Sequence, residues 1–160
     1  MKNAFAVVIV ILLCLSSFSA FAQTADTEII KKFIATQATK ERGEEYEDAR
    51  KIIAGDLNRD GEADVAVLYT IEGQDGTNNY LQYLAVFVRK NGALIPTAHT
   101  VVGGKNYRSV ELQSVDNGVI RLTTLGYAKN DPSCCPTRKG SARYSLVNGK
   151  LSAMRNQVKK

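Results

Sequence analysis

Three Asn-Gly pairs, at Asn91-Gly92, Asn117-Gly118 and Asn148-Gly149, divide the second half of this chain into short apolar runs. Both residues of a two-residue type I′ turn need positive φ angles, which Asn and Gly tolerate best, so each pair predicts a β-hairpin. The flanking runs are rich in Val, Ile, Tyr, Thr and Leu, as strands are. Three successive hairpins predict an antiparallel meander.

About eight strands are predicted in all. Two lie near residues 46–54 and 63–71, and the others are YLQYLAVFVRK, ALIPTAHTVV, YRSVELQSV, VIRLTTLGYA, SARYSLV and KLSAMRN. Pro96 lies in the second of these six runs. Because proline cannot donate a hydrogen bond to a neighbouring strand, we expect this strand to lie at an edge or to start after the proline.

One amphipathic helix precedes the strands. The sequence offers Asp26 or Thr27 as its N-cap and Gly43 as its stop, so the predicted helix spans residues 26–42. Its apolar residues at helical spacing are Ile29, Ile30, Phe33 and Ile34.

The predicted fold class is therefore mainly β (α+β). We expect an antiparallel meander that forms a curled sheet, a sandwich or an open barrel, with the helix covering one face or end. No segment repeats along the chain with a period of about 20 to 50 residues, so neither a propeller nor a solenoid is expected.

The first residues, MKNAFAVVIVILLCLSSFSAFA, have the layout of a secretory signal peptide, with a lysine, an apolar run and the pattern Ala20-Phe21-Ala22. Cleavage after residues 1–22 would leave one domain, 23–160. A transmembrane anchor is the alternative, but the apolar run has about 12 residues and a spanning helix needs about 20. Cys14 lacks the small neighbours of a lipid-modified cysteine. We expect a periplasmic or secreted bacterial protein with no membrane span after cleavage.

The charge of the chain does not define a partner. The chain has 21 Lys and Arg against 16 Asp and Glu, a formal net charge of +5. The basic residues form only short pairs, at 31–32, 138–139 and 159–160, which is typical of a solvated surface. We expect no nucleic-acid partner, and an unknown protein or envelope ligand instead.

The stretch DLNRDGEAD places oxygen-bearing side chains at alternate positions before Gly61. Tight loops chelate calcium through oxygens in this spacing, with a glycine at the sharp turn. An EF-hand would continue to a bidentate glutamate, but that position holds Val67 within an apolar run, so the loop is predicted to lead into a strand. The alternative is an ordinary turn that closes without metal. The candidate calcium ligands are Asp56, Asn58, Asp60, the carbonyl of Glu62, and Asp64.

The longer stretch IIAGDLNRDGEADVAVLY resembles the calcium-binding loop of FG-GAP and VCBS-type repeats, over residues 53–68. The resemblance implies a strand, a loop that coordinates structural Ca²⁺ through those same five residues, and a returning strand. That family builds propellers from several repeats, and this chain has one, so neither the propeller nor adhesion is carried over. The stretches GDLNRDG, NNYLQYLAVF, VGGKNYR and DPSCCP are similar to small exported bacterial proteins. This resemblance extends over the chain after the signal peptide and implies a compartment, but it does not supply an activity.

Two adjacent cysteines, Cys134 and Cys135, lie in KNDPSCCPTRKG. Neighbouring Cα atoms are about 3.8 Å apart across a trans peptide, less than the roughly 4.4 to 6.8 Å usual for a disulfide, so a bridge here would be strained. Three interpretations are open. The pair is oxidised and stiffens a loop restrained by Pro132 and Pro136; it is a redox switch or, when reduced, a site for Cu(I) or Zn(II); or it forms intermolecular disulfides.

The sequence offers no recognisable catalytic motif. The single histidine, His99, lies in a predicted strand, where packing or surface exposure is the usual role, and Gly103-Gly104-Lys105 is followed by Asn106, unlike a P-loop. The residues Tyr80, Tyr83 and Phe87 form either an aromatic binding face or part of the core. We expect a non-enzymatic binding or structural protein with a calcium-stabilised loop. A redox-responsive or soft-metal-binding protein is the alternative, and an enzyme with an unrecognised site is the third interpretation.

Overall fold

The computed structural model describes residues 24–155, so the expected signal peptide lies outside the described residues. The described chain forms one helix followed by nine strands of a single antiparallel sheet. No helix among the described residues is long and apolar enough to cross a membrane. The helix α1 covers residues 24–41, and the strands are β1 (Glu44–Glu45), β2 (Lys51–Gly55), β3 (Asp64–Glu72), β4 (Tyr80–Lys90), β5 (Ala93–Gly104), β6 (Arg108–Asp116), β7 (Val119–Gly126), β8 (Arg138–Val147) and β9 (Lys150–Met154).

The predicted mainly β fold, a meander with one helix, is confirmed. The strand order is β1-β3-β4-β5-β6-β7-β8-β9, with β2 also paired to β3, and the sheet is open. Each Asn-Gly pair forms a tight turn between neighbouring strands with positive φ angles at both residues, 53° and 81° at Asn91-Gly92, 50° and 75° at Asn117-Gly118, and 49° and 72° at Asn148-Gly149. These angles are the ones that a type I′ turn requires.

Strands β3 and β4 are buried on both faces, because successive side chains point to opposite sides of a strand. On one side, Val67, Tyr69 and Phe87 pack under Ile30 and Ile34 of α1. The other side forms a second cluster with strands β6 to β8. Its members include Ala66, Leu68, Leu84, Val86, Val110, Leu112, Ile120, Leu122 and Tyr144.

The sheet continues from β5 to β6 through a single pair of residues, Gly104 and Arg108. The side chain of Gln82 in β4 replaces further pairing: its amide accepts a hydrogen bond from Val110 N (2.9 Å) and donates one to Val110 O (3.2 Å). Strands β6 to β9 therefore lie against the face of β3 and β4 that α1 leaves open. The result is three layers, with the helix on one side of the central strands and β6 to β9 on the other.

Some of the predicted boundaries differ from the structure. The helix includes Asp26 and Thr27, so neither is the N-cap; the carboxylate of Asp26 instead pairs with Arg89 of β4, with Oδ2 and Nη2 2.6 Å apart. The strand expected from residue 46 begins only at Lys51, because a 3-10 turn over Glu47–Ala49 precedes it. The strand β5 begins before Pro96, but at the proline it pairs with β4 alone. The expectation of an edge position therefore holds there.

The end of α1 shows why Gly43 follows the helix. Gly43 N donates to Ala38 O (3.1 Å) and Arg42 N donates to Thr39 O (3.2 Å), the bonding pattern of a Schellman motif. The residue with positive φ is Arg42 (53°) rather than the glycine. A glycine is required at position 43 because the chain there packs closely against the end of β3: a Cβ would lie 2.6 Å from Glu72 O.

We expect Gly43→Ala to lower the free energy of unfolding by about 1–3 kcal/mol, since the added methyl group must displace backbone of β3. The matched variant Arg42→Gly should lose no more than about 1 kcal/mol, because glycine adopts positive φ without steric strain and the ion pair that it removes, between Arg42 and Asp75, is exposed. Chemical denaturation measures both changes. A larger loss for Arg42→Gly would show that the left-handed residue, and not the close approach, sets the end of α1.

Candidate functional site

The predicted calcium loop joins β2 to β3 and is organised by Asp56. Asp56 Oδ1 accepts hydrogen bonds from Arg59 N (2.6 Å) and Asp60 N (3.2 Å), and Oδ2 accepts one from Gly61 N (3.0 Å). Arg59 and Gly61 have φ angles of 66° and 87°. The carboxylate of Asp56 thus satisfies three backbone donors of a tightly wound loop.

Asn58 and Asp60 are brought together in the same loop, and both are exposed. Asn58 Oδ1 accepts from Asp60 N (3.0 Å), and its amide donates to Asp60 Oδ2 (2.6 Å). Asp60 Oδ1 accepts from Glu62 N (2.8 Å). The alternate positions of the sequence therefore place three oxygen-bearing side chains in one short exposed loop.

Asp64 has a different environment from the other predicted ligands. It is the first residue of β3, and its side chain is fully buried at 0% exposure. Its Oδ2 accepts from Leu57 N (2.9 Å) and Asn58 N (3.3 Å), and its Oδ1 accepts from Arg89 N (2.8 Å). Both oxygens of Asp64 are thus engaged in fastening the start of the loop to β3 and β4.

The loop faces the β6–β7 turn across a cleft of about 510 Å³. Arg59 crosses this cleft and donates to Asn117 O (3.2 Å). The cleft also contains Asp56 and Asp116. Neither Asp116 nor Asn117 could be identified from the sequence, because nothing in the local pattern shows that the β6–β7 hairpin meets a loop so far away in the chain.

The oxygen atoms of the loop between β2 and β3 are ligands of the type that calcium prefers. Within residues 24–155 no group of three or more His, Cys, Asp or Glu side chains is arranged to hold a metal ion. Calcium also accepts amide and backbone carbonyl oxygens, which the loop offers through Asn58 and Glu62 beside Asp56 and Asp60. The loop therefore offers two carboxylates and two neutral oxygens, with Asp64 anchoring its base.

The adjacent cysteines form a disulfide at an exposed position in the loop between β7 and β8. Cys134 and Cys135 have Cα atoms 3.8 Å apart. Of the three interpretations, an oxidised pair agrees with this bond, and the bond leaves neither sulfur free for an intermolecular bridge. Cys135 N also donates to Pro132 O (3.0 Å), which closes a turn around the pair.

Asp131 holds the base of this disulfide loop. Its Oδ2 accepts from Ala128 N (2.7 Å) and Thr137 N (2.8 Å), and its Oδ1 accepts from Thr137 Oγ1 (2.8 Å). The hydroxyl group of Tyr127 donates a further hydrogen bond, to Ser133 O (2.7 Å). The bonds from Ala128 and Thr137 favour the charged carboxylate and hold the pKa of Asp131 below its ordinary value. This role of Asp131 was not predicted, although Asn-Asp-Pro is a recognised turn signal.

The lowered pKa of Asp131 predicts a pH-dependent loop. The loop bonds should be fully present above the unfolded pKa, about 4, and should be lost as the pH falls through the lower folded pKa. An NMR titration of the Ala128 and Thr137 amide shifts should show this transition below about pH 4. It should be absent in Asp131→Asn and unchanged in the control Asp75→Asn. A transition that persists in Asp131→Asn would assign it to another group.

The aromatic residues divide between core and surface. Tyr83 and Phe87 belong to the core under α1, where Tyr83 stacks on Tyr69 with ring centroids 5.2 Å apart. Burial raises the pKa of both tyrosines. Tyr80 is half-buried, and His99 is exposed with its ring 5.6 Å from that of Phe33. The core interpretation is therefore confirmed for Tyr83 and Phe87.

Comparisons of the chain with models of protein families, with curated proteins and with solved structures found no match. The resemblance of residues 53–68 to FG-GAP and VCBS-type loops therefore stays a prediction.

Proposed function

We propose that this protein is an exported, non-enzymatic binding or structural module whose β2–β3 loop is stabilised by calcium. The observation that carries the proposal is the meeting of Asp56, Asn58 and Asp60 in one exposed loop whose base is fixed by the buried Asp64. The expected export rests on the signal-peptide pattern of residues 1–22.

The position of the loop favours a structural role for the ion. The loop connects two paired strands, and β3 runs through the centre of both core clusters. Binding there would hold the turn between β2 and β3 and offset the repulsion between Asp56 and Asp60. Exported modules bind calcium with dissociation constants of about 10⁻⁴ to 10⁻³ M. A tenfold excess over that value stabilises the folded state by about 1.4 kcal/mol.

The test is thermal unfolding in millimolar calcium and in chelator. We expect calcium to raise the melting temperature of the parent by roughly 4–6 °C, the shift that about 1.4 kcal/mol gives in a domain of this size. Asp60→Asn should lose this rise and unfold in chelator much as the parent does. The reason is that an Asn oxygen can still accept the hydrogen bond from Glu62 N while the charge is gone.

The control is Asp75→Asn, which removes one exposed carboxylate from the loop between β3 and β4. It should keep the full response to calcium. Equal responses in Asp60→Asn and the parent would exclude this loop as the site. If neither responds, the loop closes as a turn held by hydrogen bonds alone, and the proposed calcium role is wrong.

A second candidate function is thiol–disulfide exchange at Cys134 and Cys135, and the exposed bond between them favours it. The bridge joins adjacent residues and so restrains the unfolded chain very little. Asp131 and Tyr127 hold the loop through bonds that do not involve sulfur. An external dithiol could therefore reduce the pair with two electrons and two protons, becoming a disulfide itself, while the fold stays intact.

The redox test counts thiols after treatment with a mild dithiol. The parent should release two more thiols than Cys134→Ser/Cys135→Ser, a comparison that cancels any contribution from Cys14. Its melting temperature should change by less than about 2 °C on reduction, because the bridge closes almost no loop. If no additional thiol appears while the fold is intact, the redox function is excluded.

A further inference from the structure

The outer face of strands β7 to β9 gathers basic side chains that are far apart in the sequence. The inward side chains of these strands, such as Leu122 and Tyr144, belong to the second core cluster, so the alternate residues point outward. Residues 108–155 contain eight Lys and Arg against three Asp and Glu, whereas residues 24–107 contain ten against thirteen. The outward cations, here called the basic face, are Arg121, Lys139, Arg143 and Lys150.

At the centre of the basic face, Arg121 of β7 lies directly opposite Arg143 of β8. Like charges in directly opposed positions destabilise a sheet. Within residues 24–155 neither guanidinium has a carboxylate in ion-pair range, and Arg143 donates to the backbone oxygen of Arg155 (3.1 Å). Strands β6 to β9 contain two acidic residues, Glu111 and Asp116. Both lie on β6, the strand at the margin of the basic face.

The extent of the basic face argues against a single small anion as its partner. Lys139 and Lys150 lie near opposite ends of β8 and are separated by about 25 Å along the strand. The same face also exposes apolar side chains. Val147 at its end is 50% exposed, and Met154, opposite Arg143, is 38% exposed. Cations spread around exposed apolar groups suit the headgroup region of a bilayer, which takes up both.

We propose that the basic face docks on a membrane surface that contains anionic phospholipid. Arg121 and Arg143 contact lipid phosphates, because a guanidinium binds phosphate through paired hydrogen bonds. The bound phosphates offset the repulsion between the two arginines. Val147 and Met154 enter the interfacial region. This docking requires neither calcium nor reduction of the disulfide, so it stands apart from both functions proposed above.

The test is co-sedimentation with vesicles of phosphatidylcholine, with or without phosphatidylglycerol. The parent should bind only vesicles that contain phosphatidylglycerol, and raising the salt from about 0.05 to about 0.5 M should release it. Each Lys or Arg near an anionic surface strengthens binding about fivefold, so Arg121→Gln/Arg143→Gln should bind about 30-fold more weakly. The control Lys31→Gln/Lys32→Gln removes the same charge from α1 and should bind within about twofold of the parent.

Two comparisons separate loss of binding from loss of the fold. All variants share the same N-terminal residues, so differences among them report on the substituted positions. Arg121→Gln/Arg143→Gln should unfold at the same temperature as the parent or higher at low salt, because it removes a repulsion. Weaker binding therefore cannot be attributed to unfolding. Equal losses in both double variants would show that net charge alone drives binding, and this result would overturn the proposal.

Substitution of the exposed apolar residues distinguishes binding to a lipid surface from binding to a soluble polyanion. Val147→Ser/Met154→Ser should bind phosphatidylglycerol vesicles several-fold more weakly and should bind soluble polyphosphate as the parent does. If the parent binds polyphosphate as tightly as it binds vesicles and this variant loses nothing on vesicles, the partner is a soluble polyanion and the proposal is wrong. Absence of binding to phosphatidylglycerol vesicles at low salt would also overturn the proposal.

Discussion

The fold depends on the need to cover β3 and β4 on both faces. These strands carry apolar side chains at successive positions, so neither face can be left to water. Helix α1 covers one face through Ile30 and Ile34, and strands β6 to β9 cover the other through Val110 and Ile120. The three-layer arrangement follows from this requirement, since a two-layer structure would leave one apolar face exposed.

A pair of polar residues connects these layers to the candidate calcium loop. Asp64 accepts hydrogen bonds from the loop backbone and from Arg89 N, and the guanidinium of Arg89 pairs with Asp26 of α1. The buried side chain of Asp64 therefore accepts hydrogen bonds from three backbone donors, as a polar group in a core must. This arrangement fixes the base of the loop and leaves Asn58 and Asp60 exposed.

Much of the fold follows from local sequence, and less of the candidate site does. The Asn-Gly pairs predicted three hairpins because the positive φ angles of such turns are a local property. The start of α1 was missed because Asp26, predicted as its N-cap, pairs with Arg89, a partner that is distant in the chain. The 3-10 turn before Lys51 was also missed; there Arg50 pairs with Glu45 of β1. The layering also could not be predicted, since one side chain, Gln82, and one residue pair define how β6 leaves β5. The cations of the basic face are scattered in the sequence, and only the pairing of β7 to β9 brings them together.

The single residue pair between β5 and β6 has a further consequence. Backbone hydrogen bonding scarcely links the part of the chain up to Gly104 with the part from Arg108 onward, so the two parts are held together mainly by side chains of the second core cluster. The connection between them is a short turn in which Asn106 and Tyr107 are exposed. A chain divided there would keep nearly all of its strand pairing within each fragment, so reassembly of the two fragments would report chiefly on burial of apolar surface. This junction is the natural point at which to split the protein for complementation.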